Sequence, residues 1–260
     1  MNANQTYLEL LTDLISGPQF QVSPRKQQTR EIVCHRTTID MASCIMTIRD
    51  RDLDYRFMAA EARWILAGEN KLDHPVLMNN LVKYSDDGTK MYGAYGPSFV
   101  EQVEYVMAAL RSDLDTRQAT MTLWTRNPVA SKDIPCTVAL QWLIRDEYLH
   151  CNVFMRSSDA WLGWPYDVFN FTMMSIRVLF GLPQGIQLGQ LNLIAGSQHL
   201  YVRNLDSAST LVRQSGGGDI LTIDTQRIGN PDSLMSRLDN IRNASDNEVA
   251  FHLMKAELCR

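Results

Sequence analysis

Residues 133–167 read D-I-P-C-T-V-A-L-Q-W-L-I-R-D-E-Y-L-H-C-N-V-F-M-R-S-S-D-A-W-L-G-W-P-Y-D. The fold is decided in this stretch. The apolar, β-rich run 138–145 predicts a strand that opens just after Pro135-Cys136. Asp146-Glu147 is a short polar break, and 148–155 predicts the strand that returns. A hairpin with arms of this length closes where it began, so Arg156 is expected beside Cys136. A guanidinium next to a thiol favours the thiolate, which is the nucleophilic form.

The remainder of the chain frames that pair. Its 260 residues can bury a large core, and no repeat or low-complexity tract divides them. One catalytic domain over 1–260 is expected. A formal charge of −4 argues against a general polyanion binder, so no nucleic-acid partner is expected. It leaves room for one small anion held by local arginines. The cysteines, Cys34, Cys44, Cys136, Cys151 and Cys259, are odd in number and lack paired spacing. That argues against a disulfide framework, and no C-x-x-C or His/Cys cluster suggests a metal. The first residues lack a basic region followed by a long apolar run, and no segment has the length of a membrane span. A soluble protein in a reducing cytoplasm is expected, in a bacterial cell or a phage-infected host, without a membrane partner.

Periodicity predicts helices over 6–16, 55–67, 75–84, 98–111, 168–180, 233–242 and 248–258. Strands are predicted over 119–124 and 187–195, and as a pair over 30–37 and 42–48, with 49–52 as a solvated link. Cys34 and Cys44 read as small apolar fillers on that pair. Gly216-Gly217-Gly218 is not followed by Lys-Ser or Lys-Thr, so it is a loop rather than a phosphate cradle.

Four groups of residues carry a resemblance: Pro135-Cys136, Arg156-Ser157-x-Asp159, Leu162-Gly163-x-Pro165, and Gly196-Ser197-Gln198-His199-Leu200-Tyr201. At this spacing they resemble the thymidylate synthase superfamily, and weaker matches extend over most of the chain. The resemblance implies an α+β fold with a large mixed β-sheet flanked by helices. It also implies a homodimer formed through that sheet, with 5,10-methylenetetrahydrofolate as co-substrate. Glu61, in E-A-R-W-I-L-A-G with Trp64, matches the glutamate that organises water and protons near pyrimidine and folate. Tyr95, followed by Gly96, matches a catalytic tyrosine, although a tyrosine packed on the sheet fits as well. Arg25 and Arg30 are both candidates for the substrate phosphate, beside Arg156 and Ser157. Arg117, in D-T-R-Q, matches one of two arginines that cross the dimer to the partner's phosphate; Gln118 takes the second place. His199 and Tyr201 match the pair that holds the sugar 3′-hydroxyl. The folate site carried over is Asp159, with Trp64, Leu162, Gly163 and Tyr166 around it.

Three departures lean towards the pyrimidine-nucleotide hydroxymethylases. Thr137 replaces a histidine after the nucleophile, Ser197 replaces an aspartate, and Asp167 replaces the asparagine that recognises uracil. An ionised Asp167 would oppose uracil O4 lone pair to lone pair, a mismatch worth roughly 10⁴. It would accept from cytosine N4–H and share a proton with N3. The expected activity is C5 hydroxymethylation of a cytidine monophosphate, CMP or dCMP, through a Cys136–C6 adduct and water addition to an exocyclic methylene. Beside it stand methylation or hydroxymethylation of dUMP, and a nucleotide-binding module without turnover.

Overall fold

The computed structural model describes all residues, Met1–Arg260. The helices are α1 (Ala3–Ser16), α2 (Tyr55–Leu66), α3 (Pro75–Leu81), α4 (Tyr95–Ser112), α5 (Trp164–Leu179), α6 (Leu205–Gln214), α7 (Thr225–Ile228), α8 (Pro231–Arg242) and α9 (Asn247–Leu258). The strands are β1 (Phe20–Val22), β2 (Thr29–Asp40), β3 (Thr120–Thr122), β4 (Thr137–Arg145), β5 (Tyr148–Met155), β6 (Ser158–Asp159) and β7 (Gln187–Tyr201). They form one mixed sheet in the order β1-β2-β7-β5-β4-β3, with β6 beside β7. β5 and β6 run parallel to β7, and the other pairs are antiparallel. The chain is thus α+β, a large mixed sheet flanked by helices.

The sheet has two unlike faces because side chains alternate along each strand. Leu140, Trp142, Ile144, Leu149, Cys151, Val153, Leu191, Leu193 and Ala195 are buried on one face. This core continues into α5, where Phe169, Phe171, Met173, Met174 and Ile176 are fully buried. The opposite face carries a polar ladder across four strands. Thr38 Oγ1 donates to Asn192 Oδ1 (2.8 Å), Asn192 Nδ2 to Asn152 Oδ1 (3.0 Å), and Asn152 Nδ2 to Gln141 Oε1 (3.4 Å).

Two expectations fail at the same place. Residues 42–48 are not a strand, and β2 pairs instead with β1 and β7. Asp40 accepts from Ala42 N (3.0 Å) and turns the chain off the sheet into a 3-10 turn. The buried segment beyond it satisfies its backbone through side chains, with Thr47 N donating to Asn4 Oδ1 (2.8 Å). Within 49–52 the expected solvated link holds at Arg49, Asp50 and Asp52, which are exposed, and fails at Arg51. Arg51 is only 8% exposed; its Nε donates to Tyr7 Oη (3.0 Å) and its Nη2 to Trp161 O, and the guanidinium lies 4.0 Å over the Trp161 ring. The ion-pairable charges of R-D-R-D suggested solvent, but an arginine can be buried when its donors are satisfied. Cys34 is exposed with φ 54°, so it is no core filler, whereas Cys44 is fully buried in the turn after β2.

Candidate active site

The hairpin places the chemistry. Asp146 (φ 52°) and Glu147 (φ 65°) form a two-residue turn with both central residues left-handed, which matches strand twist. β4 and β5 then pair in one register from Arg145 opposite Tyr148 to Ala139 opposite Phe154, and a register shift between Ala139 and Thr137 brings Thr137 opposite Met155; beyond it Arg156 N donates to Cys136 O (2.8 Å). The Arg156 guanidinium is held by Pro135 O and Ile134 O, each at 2.9 Å. From there Nη2 lies 3.8 Å from Cys136 Sγ, and Ser157 Oγ is at the same distance. The juxtaposition expected from hairpin length is present. Its effect on the proton differs from expectation. Burial pushes the Cys136 thiol up, while Arg156 and Ser157 pull it down, and burial is the larger influence. The resting group is the thiol.

Cys136 opens on a cavity whose walls are Glu61, Trp64, Tyr95, Asp167 and Asn170. Helix α2 carries Glu61; it starts at the Asp54 cap, which accepts from Phe57 N (2.9 Å), and ends before Gly68 at φ 74°. Asn170 Nδ2 donates to Glu61 Oε2 (2.7 Å). Burial outweighs that bond and lifts Glu61 from the ordinary carboxyl range to about 7. Tyr95 stacks on Phe171 (6.2 Å between centroids, 14°) and accepts from Thr137 Oγ1 (2.9 Å). Thr137, one of the three departures noted in the sequence, is therefore the tyrosine's partner. Burial, with Asp167 and Cys136 nearby, holds the Tyr95 hydroxyl well above the ordinary phenol range.

Asp167 lies in the first turn of α5, which Gly163 caps and in which Pro165 is the second residue. A Cβ on Gly163 would stand 3.3 Å from Asp167 Oδ2 and from Asp159 O, so a larger residue would crowd the carboxyl. The helix N-terminus favours ionisation by about 1 kcal/mol or less. Burial and the neighbouring Glu61 and Asp159 carboxyls act oppositely and win, raising Asp167 well above the carboxylate range. These influences favour the neutral form of Asp167, in which the lone-pair clash expected of an ionised group does not arise. A neutral carboxyl offers one donor and one acceptor, which complement cytosine N3 and N4–H, and equally uracil O4 and N3–H.

A second, open cavity adjoins the first through Ile134. Arg25, Arg156 and Ser157 line it with His199 and Tyr201. Arg25 stands in a 3-10 turn between β1 and β2 at φ 51°. Arg30 is turned away, its Nη1 donating to Ile15 O at the end of α1. Of the two candidates Arg25 therefore reaches the cavity, and Arg30 ties strand to helix. His199 and Tyr201 meet edge to face (5.1 Å, 88°), and His199 Nδ1 is buried without a partner. Ser197 Oγ donates to Glu31 Oε1, from the strand paired with it. Glu31, Trp124 and Lys132 also line this cavity and were not anticipated. No residue motif marked them, since cross-strand pairing brings Glu31 in.

The residues assigned to folate divide. Trp64 Nε1 is committed to Lys71 O (2.8 Å), leaving its ring edge at the cavity wall. The Tyr166 hydroxyl accepts from Asp54 N (3.1 Å), and its ring meets Phe57 edge to face. Asp159 Oδ1 accepts from Trp161 N (2.8 Å) and Leu162 N (3.1 Å), while Oδ2 has no protein partner; Leu162 is 42% exposed. A free carboxylate oxygen beside an exposed leucine suits a ring that carries N–H donors on an apolar edge, as a reduced pterin does. Arg117 is exposed and lines neither cavity; its carbonyl accepts from Gln141 Nε2 (3.0 Å). Asn170, one turn beyond Asp167, was missed, although i,i+3 spacing on an apolar helix puts both on one face.

A family model described as "Thymidylate synthase" matches residues 5–230. That span holds all of the sheet, both cavities and the Cys136–Arg156 hairpin. Sequence match, mixed sheet and cavity-lining thiol agree, and the chain belongs to the thymidylate synthase family, whose chemistry is folate-dependent transfer of a one-carbon unit to a pyrimidine nucleotide.

Proposed function

We propose that the protein is a cytidylate 5-hydroxymethylase, converting CMP or dCMP to the 5-hydroxymethyl nucleotide with 5,10-methylenetetrahydrofolate as one-carbon donor. The observation that carries the reading is the place of Asp167, a carboxyl in the wall of the Cys136 cavity where the family's asparagine reads uracil, which burial pushes towards its neutral form. Cytosine N3 is a ring nitrogen that can take the carboxyl proton as Cys136 adds to C6 and N3 becomes more basic, whereas uracil O4 can only share it. A charge-assisted pair is worth about 1.5–3 kcal/mol against about 1 for a neutral one, so the preference for cytosine rests on roughly 2- to 30-fold.

The residues then have these roles. Arg25, Arg156 and Ser157 bind phosphate, and His199 and Tyr201 hold the sugar. Cys136 gives up its proton and bonds to C6; Arg156 stabilises the sulfur as charge develops, and Asp167 protonates N3 as electrons move into the ring. C5 becomes enamine-like and takes the one-carbon unit. Tyr95 assists loss of the C5 proton. Loss of tetrahydrofolate leaves an exocyclic methylene, to which water adds near Glu61. Asp159, with Leu162 and the edge of Trp64, faces the pterin; Gly163 keeps the approach open and Tyr166 braces the wall. The protein acts as a homodimer through the polar ladder face, with Arg117 reaching the partner's phosphate.

Mass spectrometry of products from CMP, dCMP, UMP and dUMP tests this. A 5-hydroxymethylcytidylate with release of tetrahydrofolate is expected. Stoichiometric dihydrofolate and a methylated uridylate would overturn it in favour of thymidylate-type methylation.

A further inference from the structure

The cavity beside Cys136 contains one polar atom that the roles above leave unused. Asn170 is 3% exposed, and its Oδ1 is buried with no hydrogen-bond partner. A buried amide acceptor without a partner costs about 1–3 kcal/mol, so its retention calls for an explanation. Its Nδ2 is spent on Glu61 Oε2 at 2.7 Å, which fixes the amide plane and the carboxyl together. Both residues line the wall that also carries Tyr95, Cys136 and Asp167. Glu61 and Asn170 come from facing helices, α2 and α5. Two acceptors joined through one hydrogen bond suit a molecule with two O–H donors.

Resting on the hydroxymethylase reading, we propose that Asn170 is a positioning residue for the nucleophilic water, which donates one hydrogen to Asn170 Oδ1 and the other to the Glu61 carboxylate. Held at both hydrogens, the water presents a lone pair to the exocyclic methylene carbon. Its oxygen bonds to that carbon, and the C5=CH2 pair moves into the ring. The C5=C6 bond re-forms as C6–S breaks, and the sulfur leaves with the bonding pair as the Cys136 thiolate. The water proton passes to Glu61 and the N3 proton returns to Asp167, so atoms and charge balance without an oxidant or reductant. Fixing the nucleophile in this way is a proximity effect, and its loss slows one step while sparing those before it.

The test follows the fate of the methylene. Wild type and Asn170→Leu are given dCMP or CMP, methylenetetrahydrofolate and 2-mercaptoethanol, a thiol that can trap the methylene as a thioether. Tritium release from C5, hydroxymethyl product and thioether are measured together. In Asn170→Leu, hydroxymethyl product is expected to fall about 100-fold relative to tritium release, with thioether rising in its place. Asn170→Val is measured alongside in case the leucine variant does not fold, with the same expectation. Asn170→Ser, which keeps an acceptor oxygen, should recover product to within about tenfold of wild type. A product-to-tritium ratio unchanged from wild type in the apolar variants overturns the inference. So does a parallel loss of both signals, which would mark Asn170 as packing alone. Hydroxymethyl product from wild type with either of those results removes only this inference; methyl product from wild type removes the hydroxymethylase reading and the inference together.

Discussion

At the scale of single residues, burial sets the protons, and it sets them against simple charge rules. Arg156 beside Cys136 and the helix N-terminus at Asp167 both favour ionisation, yet burial outweighs them and pushes both groups towards their neutral forms. Glu61 is the intermediate case, with its carboxyl lifted to about 7. As a base it works ionised, so kcat/KM should rise with pH through about 7, and Glu61→Gln should lose that limb of the profile. A variant that keeps the limb would remove Glu61 from the pH dependence. Stability runs the other way. A carboxyl raised on folding contributes below its ordinary range, and that contribution is lost as pH rises through the folded value. Glu61→Gln should therefore match wild type near pH 4 and exceed it by roughly 1–3 kcal/mol at pH 8, read by urea denaturation. Asp167→Asn tests the base. An amide cannot surrender a proton to N3, so kcat on cytidylate should drop, and the dCMP-to-dUMP ratio of kcat/KM should fall roughly 2- to 30-fold. An unchanged ratio would mean that Asp167 does not select the base.

At the scale of elements, the site stands on two helices and a hairpin, and Arg51 locks their approach. Tyr7 on α1 stacks on Trp164 (5.4 Å, 23°), the first residue of α5, and Trp164 Nε1 donates to Thr37 Oγ1 (3.2 Å) on β2. Arg51 joins that stack to the Trp161 backbone, just before the helix that carries Asp167 and Asn170. Arg51→Met keeps the stem and removes the donors. It should cost about 2–4 kcal/mol of stability, because Tyr7 Oη and Trp161 O lose a buried partner. It should also raise KM for the folate, since the 159–163 turn is no longer anchored. A loss below about 0.5 kcal/mol in urea denaturation would show that Arg51 is only a neighbour.

At the scale of the whole molecule, the sheet buries one face against helices and presents the other as a ladder of amides and hydroxyls. Arg117 lies beyond the end of that ladder, exposed and away from this chain's cavities. In the homodimer proposed above it serves the partner's phosphate. Cys136→Ser and Arg117→Ala should each lack turnover, with nucleotide binding preserved in the serine variant. Mixing the two should restore up to about one quarter of wild-type activity. Random pairing makes half the dimers mixed, and each mixed dimer has one site with an intact thiol and an intact partner arginine. Mixed dimers seen by native mass spectrometry without recovery of activity would place Arg117 outside any site.

What the sequence determined by itself is what depends on local pattern. Alternation and a two-residue polar break specify the β4–β5 hairpin, and hairpin arithmetic puts Arg156 beside Cys136. Resemblance to the family's motifs points to Asp159, Asp167, His199 and Tyr201, and helical periodicity finds α1, α2, α5, α8 and α9 to within a few residues. Tertiary structure decided whatever depends on who lies opposite. Residues 42–48 look strand-like, but β7 takes the edge they would need and Asn4 satisfies their backbone. A charged run hides Arg51, because its partners lie on α1 and before α5. Only packing chooses Arg25 over Arg30, brings Glu31 to Ser197, and turns the Asn170 amide onto Glu61. The protonation of Cys136 and Asp167 belongs to the same class, since desolvation is a property of everything that surrounds a group and is not written in its neighbours along the chain.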